Sequence, residues 1–345
     1  MMQIQEHNIH HQIGDGGFAS VYYAETIKEK EPRALKCISL DTLIKEPYKL
    51  KYLDGEIDAL KKLDSPNIIK LKSQYVSDNF VCLFTEYCNK DNLQKYIRGQ
   101  PQQHLNEPET INIMIDILTG LGTMHRNEYI HRDLKPENIF LNEENGNLVA
   151  KIGDLGFTKK LLSNQLTHTC LGTDGYMAPE IIQKQPYNSK VDVWGLGCII
   201  FEMLYGTVPF QLNWGVDTVR SYYTGQKLQI EQIIRDNRYI TREKNNIVSS
   251  DMKQLLINML SIQPQDRFGF DDIYRHTLFI KNKQIEQLKK KNEAYYKSES
   301  QIYKENNQEE QNDPTNYDEL LKIFKEKIGK VKKQTTQQKL FFSQD

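Results

Sequence analysis

Short blocks of apolar, aromatic and β-branched residues dominate the chain from about residue 11 to residue 87. Residues 20–24 (Ser-Val-Tyr-Tyr-Ala) and 33–38 (Arg-Ala-Leu-Lys-Cys-Ile) read as strands, and 80–87 reads as another after a Ser77-Asp78-Asn79 turn signal. One segment breaks this pattern. Leu50, Leu53, Ile57, Leu60 and Leu63 recur at three- and four-residue steps, the stripe of an amphipathic helix that stops before Ser65-Pro66. Beyond Cys88 the helical period takes over. Ile111, Ile115, Leu118, Leu121 and Met124 or His125 form one long face, residues 191–205 an almost wholly apolar second, and Met252, Leu255, Leu256, Met259 and Leu260 a third. The pattern predicts an α+β protein in which an antiparallel, β-rich part (1–88) precedes an α-helical part (89–281).

From Asn282 the composition turns to Lys, Gln, Asn and Glu, so 282–345 reads as a polar tail. Near its end Tyr317, Leu320, Leu321, Phe324, Ile328 and Val331 return to helical spacing, with Thr315 as N-cap after Pro314. This segment suits a solvated helix docked on the main body or no ordered element at all; the sharper alternative is an autoregulatory or partner-binding helix. No repeat of fixed period is visible, which disfavours solenoids and propellers.

Composition and charge narrow the class further. With 38% hydrophobic and 26% charged residues the chain is composed like a globular protein rather than a disordered one. Lys+Arg (45) and Asp+Glu (46) cancel to a formal charge of -1, which argues against a nucleic-acid-coating or polybasic membrane-binding protein. The five cysteines (37, 82, 88, 170 and 198) are odd in number, scattered and without a CxxC pair, so neither a zinc nor a redox motif is read and a reducing compartment is expected. The first residues lack a basic region followed by an apolar stretch, and no run approaches the ~18 residues of a membrane span. The expectation is a soluble intracellular protein, cytoplasmic, with the nucleus also open.

Candidate chemistry begins at 13–21, Ile13-Gly14-Asp15-Gly16-Gly17-Phe18-Ala19-Ser20-Val21. Three glycines between two strands let backbone N–H groups approach an anion, as in phosphate binding, but the same residues suit a tight turn with no ligand. A dinucleotide fold would require a helix here, where the sequence gives a strand. In the next strand Ala34 and Lys36 share a face. An inward-facing lysine needs an anionic partner, for which Glu56 is suitable; the alternative is an ordinary solvent-facing charge. Most informative is 131–138, His-Arg-Asp-Leu-Lys-Pro-Glu-Asn, which sets an acid, a cation and an amide in one turn-prone stretch. A carboxylate there can accept a hydroxyl proton and the amide oxygen can hold a divalent cation. Asp154-Leu155-Gly156 adds a second carboxylate downstream.

Together these segments resemble the eukaryotic protein kinases, in their serine/threonine branch, from about His7 to Ile280 and in the family's motif order. The same likeness runs through Gly172-Thr-Asp-Gly-Tyr-Met-Ala-Pro-Glu180, Asp192-Val-Trp-Gly-Leu-Gly197 and Asp266-Arg267. The resemblance implies a bilobal kinase fold with ATP and Mg2+ as cofactors, and transfer of the γ-phosphate to Ser/Thr hydroxyls of protein substrates. By the same resemblance Ile13, Gly14, Gly16, Gly17, Phe18, Ala19 and Val21 cover the phosphates, Lys36 holds them and Glu56 pairs with Lys36. Val21, Ala34 and Phe140 sandwich adenine, Thr85 is the gatekeeper, and Glu86 and Cys88 present backbone groups to the base. Asp133 is the implied catalytic base, Lys135 the γ-phosphate cation, and Asn138 and Asp154 the metal ligands.

Two positions depart from the family pattern. Ala19 replaces the third loop glycine, and Leu155 replaces the Phe of Asp-Phe-Gly with a smaller apolar residue expected to pack between His131 and the helix bearing Glu56. Neither removes a catalytic group. Retention of Lys36, Asp133, Asn138 and Asp154 favours catalysis over the alternative of a pseudokinase scaffold. Arg132 before the catalytic Asp implies an activation-segment phosphate, with Thr169 the best-placed acceptor and Thr167 an alternative, modified by an upstream kinase or by autophosphorylation. Glu180 and Arg267 are expected to form a buried ion pair. Glu137 and Glu202 resemble readers of basic substrate residues, although Asn92 stands where a further acid often sits.

Overall fold

The computed structural model describes residues 2–15, 19–77, 79–160, 172–209 and 248–280. Two compact units divide the described chain: the described residues up to Asp54 with those of Lys70–Tyr87, and Gly55–Ile69 with the described residues from Cys88 onward. The first unit is built on strands β1 (Met2–Ile4), β2 (His7–Asp15), β3 (Ser20–Thr26), β4 (Pro32–Ser39), β5 (Leu71–Val76) and β6 (Phe80–Glu86), joined in one sheet of order β1-β2-β3-β4-β6-β5. Every pairing is antiparallel. Side chains alternate across it: Leu35 packs with Ile9, Ala24, Cys82 and Phe84 on one face, all buried. The sheet starts earlier than residue 11, because His7 stacks on Phe84 with ring centroids 3.9 Å apart and so ties β2 to the interior. A short helix α1 (Leu40–Lys45), which the strand pattern does not announce, follows β4 directly.

Helix α2 (Tyr48–Lys62) carries the predicted stripe, with Leu53, Ile57 and Leu60 buried and Leu63 buried just beyond its end. The second unit contains α3 (Leu93–Gly99), α4 (Glu107–Arg126), α5 (Pro179–Ile182), α6 (Lys190–Tyr205), α7 (Ser250–Met259), α8 (Phe270–Arg275) and α9 (Thr277–Ile280). Capping explains several starts. Asn92, Asn106 and Ser249 accept hydrogen bonds from the backbone N–H three residues on, satisfying donors that a helix N-terminus leaves orphaned. Ser249 in turn donates from its N–H and Oγ to the Glu107 carboxylate at 2.6 and 2.7 Å, joining the start of α7 to the start of α4. From Val191 to Tyr205 every residue of α6 is buried, with Trp194 and Phe201 among the largest side chains enclosed. Close approach is helped by Gly197, where a Cβ would come within 2.9 Å of Leu260.

The expected helical character after Cys88 needs one correction. Two antiparallel pairs lie within this unit: β7 (Tyr129–Ile130) with β10 (Lys159–Lys160), and β8 (Ile139–Glu144) with β9 (Asn147–Ile152). The hairpin was legible locally. Asn145-Gly146 is the dipeptide of a two-residue turn, and both adopt positive φ, 52° and 79°. Segment 55–69 belongs with this unit rather than with the sheet, and the two units divide between Tyr87 and Cys88. Among the described residues no helix is long and apolar enough to cross a membrane. The tail 282–345, with its Thr315 cap and Tyr317–Val331 stripe, lies outside the described residues.

The β8–β9 hairpin is joined to α4 by a partly buried acid. Asp116 accepts the Ala150 N–H at 2.8 Å, while the Asn67 amide donates to the Ala150 carbonyl at 2.9 Å. Burial raises the Asp116 carboxyl from 3.8 to about 6, against the lowering effect of the Ala150 N–H. The folded state therefore holds this proton more tightly than the unfolded chain, so the group's contribution is most favourable below pH ~4 and is lost as pH rises to ~6. Asp116→Asn is expected to stabilise the protein at pH 8 by about 2 kcal/mol, with the gain shrinking towards pH 4. Urea unfolding across that range measures it, and a difference independent of pH would contradict the assignment.

Candidate active site

Register in the first unit brings the predicted nucleotide residues into two adjacent rows on one sheet face. Gly14, Val21, Lys36 and Leu83 are successive cross-strand partners, and Tyr23, Ala34 and Thr85 form the next row. Because strand side chains repeat every two residues, Val21, Ala34, Lys36 and Thr85 share that face, opposite Leu35. Thr85 Oγ1 donates within 3.4 Å of the Ala34 carbonyl and 3.3 Å of the Glu86 carbonyl. Glu86 closes the sheet edge: its N–H donates to Lys70 O at 3.0 Å and its Oε1 accepts the Lys70 N–H at 2.8 Å. Ile13 and Ala19 are partly buried. Gly16, Gly17 and Phe18 lie outside the described residues.

In the second unit the 131–138 loop is held from beneath by one carboxylate. Asp192, in the first turn of α6 and 1% exposed, accepts the His131 N–H and the Arg132 N–H, both at 3.0 Å, and His125 Nε2 at 2.8 Å. Burial pushes its carboxyl up, but the His125 hydrogen bond, the His125 charge and the Arg132 N–H outweigh this and hold it below the usual range. Arg132 sits at φ 72°, a left-handed conformation that costs a non-glycine residue about 1–2 kcal/mol, and its Nε donates to Phe157 O at 2.6 Å. His131, fully buried, accepts the Asp133 N–H on Nδ1 at 3.2 Å, so its proton is on Nε2, which donates to Gly153 O at 3.1 Å. His131 thus links this loop to the segment before Asp154.

Held in this way, Asp133 has both carboxylate oxygens engaged. Thr173 Oγ1 donates to Oδ1 at 2.7 Å, while Lys135 Nζ lies 3.1 Å from Oδ2 and also donates to Thr173 Oγ1 at 2.7 Å. Asn138 Nδ2 donates to the Asp133 carbonyl at 2.8 Å and to Oδ2 at 3.2 Å. The result is an acid and a cation meeting at one hydroxyl oxygen. Asn138 is tied through its carbonyl to the Gly153 N–H at 2.9 Å, next to Asp154, whose backbone is left-handed at φ 49°. Gly156 admits the neighbouring acids: a Cβ there would stand 3.4 Å from Asp154 Oδ1 and 3.6 Å from Glu56 Oε2. Glu56 is 3% exposed and belongs to this unit, whereas Lys36 belongs to the first. Leu155 is wholly buried. Cys88 is buried, and Phe140 bridges Asn92 and covers Gly153, where a Cβ would fall 2.6 Å from the Phe140 ring.

The donor set suits Mg2+. One carboxylate (Asp154) and one amide oxygen donor (Asn138) are hard oxygen ligands of the number this ion takes from protein when phosphates and water complete its shell. Among the described residues no cluster of three His, Cys, Asp or Glu side chains suggests a different metal.

Two further sites are structural. Arg267 and Glu180 pair bidentately, Nη1–Oε1 at 2.6 Å and Nη2–Oε2 at 2.9 Å, with side chains 0% and 3% exposed. Remaining guanidinium protons reach the Ser261 and Lys190 carbonyls at 3.0 Å, and the cation lies 5.0 Å from the Trp194 ring centroid. Glu202 corrects an expectation: it is buried and already accepts from Gln94 Nε2 at 2.9 Å and from Tyr176 Oη, leaving it committed to the interior rather than free to read a basic residue. Burial and the Glu202 charge push the Tyr176 hydroxyl up. Thr169, and its alternative Thr167, lie outside the described residues. Asp192 and Thr173 entered the sequence reading only as members of the 192–197 and 172–180 segments, Asp192 also as the acid interrupting the most apolar stretch of the chain; their contacts with the 131–138 loop come from the structure.

Residues 7–279 match the protein kinase domain family. Serine/threonine-protein kinase atg1 of Dictyostelium discoideum is 30% identical over 280 residues, covering 80% of this chain and 39% of that protein. ATG1b of Arabidopsis thaliana is 31% identical over 283 residues (81% and 37%), and ULK1 of Homo sapiens 34% over 272 (76% and 24%). The chain thus spans 24–39% of the length of these relatives. It belongs to the eukaryotic protein kinase family, in the serine/threonine branch.

Truncation of Arg267 would strand the buried Glu180 carboxylate. Arg267→Ala is expected to cost about 3–5 kcal/mol of folding stability. Denaturant unfolding measures the loss, and an unchanged transition midpoint would remove the pair from the scaffold's determinants.

Proposed function

We propose that this chain is a catalytically active protein serine/threonine kinase using Mg-ATP, and that Asp133 is its catalytic base. The observation that carries the reading is the hydroxyl of Thr173, which donates to Asp133 Oδ1 at 2.7 Å while Lys135 Nζ approaches the same oxygen at 2.7 Å. A substrate serine or threonine hydroxyl presents the same donor. Asp133 would orient it and take its proton as the oxygen attacks, and Lys135 would offset the negative charge that builds up on the transferred group. Bound Mg-ATP supplies the γ-phosphoryl group and a leaving group with its charge partly neutralised. Asn138 and Asp154 would hold the metal. In the first unit, Gly14 and Lys36 would bind phosphate, Val21 and Ala34 would line the adenine site and Thr85 would limit its depth. Holding the Asp133 backbone through His131 and Asp192 keeps the base oriented before substrate arrives, which is where most of the rate gain in such transfers originates.

The substrate is a protein. A preference for basic residues would rest on Glu137, whose Oε2 is buried without a hydrogen-bond partner among the described residues. Regulation is inferred at Thr169, whose phosphate would offer Arg132 an anionic partner beyond the Phe157 carbonyl. A reducing intracellular compartment suits the four cysteines that form no disulfide among the described residues.

Transfer of labelled phosphate from ATP to a generic basic protein tests the assignment. Asp133→Asn should lower the rate by about 10²–10⁴-fold with the fold intact by circular dichroism. Equal rates in wild type and variant, or no transfer by fully phosphorylated wild type, would favour a binding scaffold instead. Thr169→Ala should reduce activity relative to phosphorylated wild type, and equal activity would reject the regulatory assignment.

A further inference from the structure

Cys37 and Cys82 stand directly opposite each other on β4 and β6, in a row that runs Ser20, Cys37, Cys82, Tyr75 across four strands. Their side chains share the core face with Leu35 and Phe84, so they lie on the side of the sheet away from Lys36. The two Sγ atoms are 3.8 Å apart. A disulfide requires about 2.0 Å between sulfurs and about 4.4–6.8 Å between Cα atoms, and residues directly paired in an antiparallel ladder meet the second condition at about 4.5–5.5 Å. Side-chain rotation is then enough to close the bond, with no change of register. Among the described residues no third Cys, His, Asp or Glu joins the pair into a metal site.

We propose that Cys37 and Cys82 form a reversible disulfide when the protein meets hydrogen peroxide, making this strand pair a redox modification site one residue from Lys36. Roles follow from the surroundings. Cys37 is half-buried and open to a small oxidant, whereas Cys82 is 1% exposed. Its hydrogen bond with Cys82 holds the Cys37 thiol below its ordinary range, and the same contact together with burial pushes Cys82 up. Cys37 thiolate attacks peroxide: an S–O bond forms, the O–O bond breaks and hydroxide leaves, giving a sulfenic acid. The Cys82 sulfur then displaces that oxygen, forming the S–S bond as the S–O bond breaks and water departs with the Cys82 proton. Two thiols and one peroxide become one disulfide and two waters, with two electrons passing from sulfur to oxygen.

The test uses the full-length protein, treated with hydrogen peroxide, blocked at remaining thiols, digested without reductant and read by mass spectrometry. The expected product is a peptide linking Cys37 to Cys82, lighter by about 2 Da than its two parents, lost on dithiothreitol treatment and absent from C37S and C82S. The oxidised wild type should also melt at higher temperature, because the bond closes a long loop in the unfolded chain. Recovery of both cysteines unlinked, of Cys37 only as an oxyacid, or of either linked to another cysteine would overturn the proposal, provided a reporter thiol in the same tube is oxidised. The decisive reading comes from unmutated protein, so poor folding of a serine variant leaves it intact.

Discussion

Burial of one carboxylate organises the chemistry of the helical unit. Asp192 reaches the interior at the start of a largely apolar helix and accepts there from two backbone N–H groups and pairs with one imidazole. Those backbone groups belong to His131 and Arg132, so the carboxylate sets the course of the loop immediately before Asp133. Without it, the left-handed turn at Arg132 would lose the hydrogen bonds that offset its strain, and two buried N–H groups would be orphaned. From this anchor a chain of contacts runs through His131 to Gly153 and through Asn138 to the same residue, so the loop bearing the base and the segment bearing Asp154 are placed together.

Asp192, Asp116 and Glu180 show that compensation, more than burial, decides what a carboxylate does. Asp192 has three donors and is held ionised. Asp116, facing the Ala150 N–H and the Asn67 amide but, among the described residues, no imidazole or guanidinium, is pushed up to about 6. Glu180 meets a guanidinium whose other protons are also satisfied, and this network joins the start of α5 to the first residue of α6 and to the segment after α7. Desolvation acts on all three, but the number and charge of the groups facing each differ.

Much of the fold was legible because it depends on period. The α2 stripe, the long α4 face and the apolar 191–205 run each became a helix buried on the side the spacing required, and residues 20–24, 33–38 and 80–87 became strands extended by one or two positions or trimmed by one. The β8–β9 hairpin was written in its Asn-Gly turn but obscured by the helices around it. Helix α1 was hidden for another reason: six residues carry too little periodicity to separate a helix from a loop.

Sequence alone determined the type and order of the elements and which polar residues are chemically equipped, since residue period and functional-group identity are local properties. Only the tertiary structure decided pairings between distant positions. Thr173 meets Asp133 across 40 residues, Glu202 is taken up by Gln94 and Tyr176, and two cysteines 45 residues apart, with no motif to link them, become cross-strand neighbours. Such contacts arise from strand register and helix packing, which bring together groups whose separation along the chain carries no trace of their distance in space.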